Sequence, residues 1–183
     1  MNFITTSLPG ILLIEPKVFG DERGFFMESY RRDVFEGKGI PPLLQDNHSR
    51  SVRGTLRGLH FQHPHGQGKL IRVTHGAVYD VLVDVRRGSP TFGKWEGHEL
   101  SADNKRQLWV PPGFAHGFCV LSDDADFLYK CSDYYHPKHE HTLLWNDPEV
   151  GVQWPVSEPI LSSKDTIGKP LSELRDLPVF TEP

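Results

Sequence analysis

Short apolar and aromatic runs, each closed by a glycine- or proline-bearing turn, recur along this chain and leave little room for anything but a strand-built fold. They are Ile11 to Ile14, Gly24-Phe25-Phe26, Leu70 to Val73, Val78 to Val85, Leu108 to Val110, His116 to Leu121 and Phe127 to Tyr135. Runs of this length between turn signals read as strands. Turns at Gly76, Gly88-Ser89-Pro90 and Pro111-Pro112-Gly113 fit the 17 glycines and 15 prolines among the 183 residues. An all-β chain of this kind is expected to close into a sandwich or jelly-roll barrel whose interior can hold a ligand. Two short helices are predicted at its periphery. One covers Ser29 to Lys38 and ends near Gly37 or Gly39; the other covers Ser172 to Asp176, capped by Ser172 and stopped by Pro178.

No repeat, charge block or linker divides the sequence, so one domain spanning residues 1–183 is expected. A formal charge of -4 and a pI near 6.2 supply no broad basic field, and nucleic acid is not an expected partner. A local basic pocket could still hold one phosphorylated small molecule. Cys119 and Cys131 come without a secretory leader or a repeated cysteine spacing, and they read as reduced core thiols. The run Ile11 to Ile14 is far too short to span a membrane, and the N-terminus lacks the basic segment that begins a signal peptide. A cytoplasmic protein with no membrane partner is expected.

Polar side chains that face a barrel interior need partners, either one another or a ligand. Gln45-Asp46-Asn47-His48-Ser49-Arg50 and then Gly54 to Gln62 concentrate donors, acceptors and one titratable base, His60. Histidine ordinarily titrates near pH 6.5, so His60 suits a general base, and equally a core histidine bonded to backbone. Lys69 opens an apolar strand, where its ammonium could stabilise an oxyanion or its stem could simply lie along the sheet. Period-two alternation puts Asp80 and Asp84 on the face of Val78 and Leu82. Either could pair with Lys69 or an arginine, with Asp80 the weakly preferred one, although an exposed sheet face gives the same pattern. Along Phe127 to Tyr135, the side chains of Tyr129, Cys131 and Tyr135 share one parity. The Tyr129 phenol is a candidate proton donor, with ordinary aromatic packing as the alternative. His116 follows a proline-glycine turn and shares a face with Phe118 and Val120.

Ten histidines raise the question of a metal. Around His60 the pattern argues against one, because Gln62 replaces a second histidine and Lys69 stands where a carboxylate ligand would be wanted. His63 and His65 lie in a turn, and His136, His139 and His141 form another local cluster. Both are read as capable of adventitious binding only; neither a functional metal nor a cofactor is expected.

Taken in order, several segments resemble the family of dTDP-4-dehydrorhamnose 3,5-epimerases, metal-independent cupins acting on dTDP-4-keto-6-deoxy sugars. They are Phe19 to Glu28, Gln45 to Ser49, Leu56 to Gln62, Gly68 to Val73, Trp109 to Phe118, Leu128-Tyr129-Lys130 and Leu161 to Asp165. The resemblance spans most of the chain and implies a cupin-like jelly roll. It implies that His60 removes a proton from a carbon beside the C4 ketone while Asp165 orients and polarises it. Lys69 would stabilise the enolate, and Tyr129 would return a proton from the opposite face. The substrate-binding set it implies is Arg23, Glu28, Gln45, Asp46, Asn47, Arg57, His116, Glu140 and Lys164, with Phe26 and Tyr135 as apolar or stacking contacts. The arginines and lysines suit a diphosphate. The family also implies a homodimer with shared strands, in which Arg23 and Phe26 reach a neighbour's site. Departures from the pattern are confined to the histidine-rich stretches His63 to Gln67 and Tyr134 to His141, and these replace no catalytic residue.

The expected reaction is therefore conversion of dTDP-4-dehydro-6-deoxy-D-glucose to dTDP-4-dehydro-L-rhamnose. Three alternatives stand beside it: epimerisation of one centre only, a metal-dependent cupin oxygenase, and a noncatalytic sugar-nucleotide-binding module.

Overall fold

The computed structural model describes residues 1–181. Along the chain run β1 (Asn2–Thr5), β2 (Leu12–Glu15), β3 (Val18–Asp21), β4 (Gly24–Met27) and a one-turn helix α1 (Arg32–Glu36). Next come β5 (Gln45–Val52), β6 (Leu56–Gln62), β7 (Lys69–His75), β8 (Ala77–Asp84), β9 (Trp95–Ser101), β10 (Gln107–Val110), β11 (Phe114–Val120) and β12 (Asp124–Cys131). A short β13 (Glu140–Thr142) and helix α2 (Ser163–Thr166) follow. One antiparallel sheet has the order β1-β2-β10-β7-β12-β5, a second has β13-β6-β11-β8-β9, and β3 pairs with β4 as a separate hairpin. The two large sheets face each other as a cupin-like jelly roll. No helix among the described residues is long and apolar enough to cross a membrane.

Alternation along the strands decides where the core sits. Ile71, Val73, Leu108 and Phe127 from one sheet meet Val78, Leu82 and Phe118 from the other, and this cluster closes one end of the barrel. The opposite parity of β8, Val81 and Val83, packs outward against Leu143, Val150, Leu171 and Leu177 of the C-terminal segment. Because β8 is covered on both faces, apolar residues occur at both parities from Val78 to Val85, interrupted by Asp80 and Asp84. Truncating such a buried aliphatic side chain to alanine typically costs about 2–5 kcal/mol. Cys119 and Cys131 are buried free thiols.

The helices differ from expectation. The first is shorter than Ser29 to Lys38, because Arg31 is extended (φ -144°, ψ 120°) and the chain leaves the helix at Gly37. Gly39, at φ +78°, lies just beyond. The second prediction fails: Leu171–Glu173 forms a single 3-10 turn with no side-chain cap, so Ser172 does not cap it. Buried Leu171 and Leu177 hold this stretch against the sheet, and that packing outweighs the weak helical signal. The real C-terminal helix is α2, whose N-cap is Ser162. That serine accepts a hydrogen bond from the Asp165 backbone N–H, and its hydroxyl donates to Asp165 Oδ2 at 2.6 Å. Ser162-x-x-Asp165 is a capping pattern written in the sequence.

Strand β12 also ends earlier than the run Phe127 to Tyr135. After Cys131 the chain turns away, and the Ser132 hydroxyl accepts the Gly68 N–H at 2.8 Å. Tyr135 is therefore off the strand, and its shared parity with Tyr129 does not apply.

Candidate active site

The end of the barrel away from the apolar cluster is a polar cleft of about 390 Å³ between the two sheets. That volume lies within the range of small-molecule sites. β5 contributes Gln45 and Asn47, β6 contributes Arg57 and His60, and β7 contributes Lys69. His116 comes from β11, Tyr129 from β12, Glu140 from β13, and Lys164 and Asp165 from α2, while Tyr135 reaches in from the loop after β12.

Two glycines bring β6 and β11 close enough to place their histidines side by side. A Cβ on Gly58 would lie 2.5 Å from Gly117 Cα, and one on Gly117 would lie 2.6 Å from the Arg57 carbonyl. No side chain fits at either position. The strand register shifts between His116 and Phe118 at this same point, and His116 pairs directly with His60. Bulges of this kind re-aim side chains beside functional clefts.

His60 Nε2 donates to Asp165 Oδ1 at 2.7 Å, which leaves Nδ1 with its lone pair free to take a proton. Asp165 is 2% exposed. Burial disfavours its charge, but hydrogen bonds from His60, Ser162 and the Gly58 N–H overcome that cost and hold its carboxyl at about pKa 2. The carboxylate therefore stays ionised through the neutral range and fixes the imidazole's orientation. A second histidine–carboxylate pair adjoins the first: His116 Nε2 sits 2.9 Å and 3.0 Å from the two oxygens of fully buried Asp80. Burial lowers the His116 pKa, and the Asp80 charge works against that shift. Asp80 thus meets a histidine, where the sequence suggested Lys69 or an arginine. Asp84 is bound to Arg86 at 2.7 Å, Ser89 at 2.6 Å and Thr91 at 2.6 Å, and it braces the following turn.

Across the cleft, on the six-stranded sheet, Lys69 forms no hydrogen bond or ion pair among the described residues. Burial depresses its pKa, an effect partly offset by Cys131, Glu140 and Asp80. An ammonium held without a partner gains more from an oxyanion than a solvated one would. Tyr129 stands on the neighbouring strand, opposite Asn47 and Ile71. Burial raises its pKa, with Cys131 and Glu140 adding to the effect, so its phenol keeps its proton at neutral pH. Phe118 and Phe127 stack with centroids 4.0 Å apart and form the apolar floor below.

The rim is polar. Lys164 pairs with Glu140 at 2.5 Å, and the Tyr135 hydroxyl donates to the other Glu140 oxygen at 2.7 Å. That bond, with burial adding to it, pushes the Tyr135 phenol up to about 12. Tyr135 N–H donates to Gln45 Oε1 at 3.1 Å, Gln45 donates to Asn47 at 3.2 Å, and Arg57 Nε donates to Ser51 at 3.0 Å.

Four expected site residues lie elsewhere. Asp46 is on the outer face of β5, one residue out of phase with Gln45 and Asn47, and pairs with Lys130 at 2.8 Å. Arg23 and Phe26 are carried on the exposed β3–β4 hairpin, where Arg23 pairs with Asp21. Glu28, just beyond the hairpin, approaches Arg31 at 3.7 Å. Sequence reasoning missed Gln67, Ser49 and the capping role of Ser162. Only Ser162 carried a readable signal, its spacing to Asp165.

Fold and cleft together define a jelly-roll enzyme equipped for proton transfer. A family model described as dTDP-4-dehydrorhamnose 3,5-epimerase matches residues 5–173. The chain is 57% identical over 173 residues to the dTDP-4-dehydrorhamnose 3,5-epimerase of Shigella flexneri, covering 92% of this chain and 95% of that one. A dTDP-6-deoxy-D-glucose-3,5-epimerase of Legionella pneumophila, solved in complex with dTDP-4-keto-L-rhamnose, superposes with a TM-score of 0.96 at 50% identity, over 99% of each chain. The dTDP-4-dehydrorhamnose 3-epimerase of Streptomyces niveus is 43% identical, covering 96% of this chain and 86% of that one. The chain belongs to the dTDP-4-dehydrorhamnose 3,5-epimerase family.

Proposed function

We propose that this protein inverts C3 and C5 of dTDP-4-dehydro-6-deoxy-D-glucose to give dTDP-4-dehydro-L-rhamnose. The observation that carries this reading is the division of labour across the cleft. A histidine with an ionised carboxylate behind it sits on one sheet; a lysine without a side-chain partner and a protonated phenol sit on the other. His60 Nδ1 takes the proton from the carbon beside the ketone, and the electron pair moves onto the C4 oxygen, where Lys69 stabilises it. Tyr129 gives a proton to the opposite face of the planar enolate. The imidazolium then loses its proton to solvent and the phenolate regains one, so the enzyme returns to its starting state. Inversion needs donor and acceptor on opposite faces; a single residue serving both roles would tend to restore the original configuration.

Arg57 and Lys164 suit the diphosphate, with Gln45, Asn47, His116 and Glu140 available for its sugar and base. The 3-epimerase of Streptomyces niveus is the specific reason to keep a single-centre reaction as the second reading. Conversion of the 4-dehydro-6-deoxyglucose nucleotide in D2O separates the two. Solvent deuterium at both C3 and C5 is expected, and label at one carbon alone selects the second reading.

The hairpin supports a homodimer. Phe19, Phe25 and Phe26 are 53%, 60% and 70% exposed, a cost in water that a neighbouring subunit would remove. In this reading the hairpin enters the neighbour's cleft with Arg23 and Phe26. Arg23→Ala is expected to lower kcat/KM at least tenfold. Co-expressing it with His60→Ala is expected to restore activity in mixed dimers; no recovery would mean that the hairpin does not act across the interface.

A further inference from the structure

The two histidine-rich stretches, distant in sequence, converge on one spot outside the cleft. His65, in the turn after β6, and Asp133 and His136, in the loop after β12, present one ligand atom each, all within 4.8 Å of one another. His65 Nδ1 lies 3.9 Å from Asp133 Oδ2, and the His65 and His136 rings are stacked at 4.7 Å. His139 stands beside them, its ring 5.2 Å from His65 and 5.7 Å from His136. Its Nδ1 is buried and has no hydrogen-bond partner among the described residues. An orphaned imidazole nitrogen next to three convergent donors is costly unless something takes up its lone pair or its proton.

The backbone beneath these side chains is tied down by two glutamines. Gln62, 7% exposed, donates to the His65 carbonyl at 2.7 Å and accepts the His136 N–H at 2.8 Å. Gln67 donates to the Asp133 carbonyl at 2.8 Å. The loops are thus held facing each other before any ligand arrives. In a tetrahedral site with bonds of about 2.0–2.1 Å, the donors lie about 3.3 Å apart. Donors now within 4.8 Å of one another must therefore draw together by up to about 1.5 Å on binding.

We propose that His65, Asp133 and His136 bind one divalent transition-metal ion of the zinc class, with His139 or water completing the shell. Two imidazoles and a carboxylate suit such an ion better than magnesium or calcium, which prefer all-oxygen sites. None of the three ligands lines the catalytic cleft, so the ion takes no part in proton transfer. It clasps the rim: Tyr135 lies between two of the ligands, and Gln67 links a third loop position to the cleft. The sequence reading treated each histidine stretch separately, and only the fold brings them together.

The test uses the tag-free full chain, stripped with a chelator and titrated with Zn2+ by calorimetry at neutral pH, with melting followed in parallel. One ion per chain and a higher Tm are expected. His65→Asn and His136→Ala should each weaken binding at least tenfold while zinc-free turnover stays within twofold of the parent. Asparagine tolerates the positive φ of 63° at position 65, so folding is preserved. His141→Ala, which removes a histidine that contacts Phe61, Asp176 and the His63 carbonyl and is outside the ligand set, should bind as the parent does. No saturable site, undiminished binding in both ligand variants, or loss in His141→Ala alone would overturn the proposal.

Discussion

Replacing His60 with alanine is expected to abolish solvent exchange at both C3 and C5. Nδ1 is the nitrogen left free once Nε2 is committed to Asp165, and the neighbouring histidine cannot substitute. His116 already holds Asp80, and burial keeps it from becoming charged. General acid–base groups contribute roughly 10²- to 10⁴-fold. A loss at the upper end of that range is expected, because exchange requires the base whichever carbon reacts. The measurement is deuterium incorporation into recovered substrate and product by NMR. A loss of only about twofold would be too small for a general base and would remove His60 from the mechanism. His60 lies outside the apolar cluster, but its truncation leaves buried Asp165 with only Ser162 and the Gly58 N–H as partners, so a lowered thermal transition is expected alongside the loss of exchange.

Replacing Tyr129 with phenylalanine is the second large effect, and its signature differs. The phenol's proton is retained at neutral pH because burial raises its pKa, so the parent donates it only when the enolate demands it. Without the hydroxyl, His60 still forms the enolate and still returns a proton to the face it came from. Exchange without inversion follows. Inverted product should fall by roughly 10²-fold or more, while deuterium continues to enter the unreacted sugar. Phenylalanine keeps the ring that packs beside Phe127, 5.9 Å away between centroids, so the change isolates the proton from the packing.

Much of the fold was readable where one face of a strand is apolar. β7, β8, β10 and β11 were found from their runs, but the burial of both faces of β8 was not readable, because Asp80 and Asp84 interrupt its apolar residues as an exposed face would. β5 was not. Gln45, Asn47 and Ser49 alternate inward with Asp46, His48 and Arg50 outward, so the burial alternates but the polarity does not. A strand lining a polar cleft carries no hydrophobic period, and this is why a functional strand is hardest to see. It also explains Asp46: within a run of donors and acceptors only the pleat tells which face each occupies. Helices failed where packing decides. Leu171 and Leu177 anchor a stretch whose Ser172 and Pro178 suggested a capped and stopped helix, while the four residues of α2 were too short to show a period.

The site was legible as a set and not as a geometry. His60, Lys69, Tyr129 and Asp165 each had a plain structural alternative until the ordered motifs joined them. What no pattern could supply was the pairing: that His60 and His116 face each other across a register shift, or that Asp80 belongs to His116. Those depend on Gly58 and Gly117 allowing two strands to approach, a contact between segments far apart in the chain. Arg23, Phe26 and Glu28 lie outside the cleft of their own chain, and no sequence period tells where a separate hairpin stands relative to the two sheets.

The most direct test of a base and an acid on opposite sheets is a single NMR experiment on Tyr129→Phe with dTDP-4-dehydro-6-deoxy-D-glucose in D2O. The two-sided arrangement predicts deuterium in recovered, uninverted sugar with little inverted product. Inverted product formed at nearly the parent's rate would contradict it.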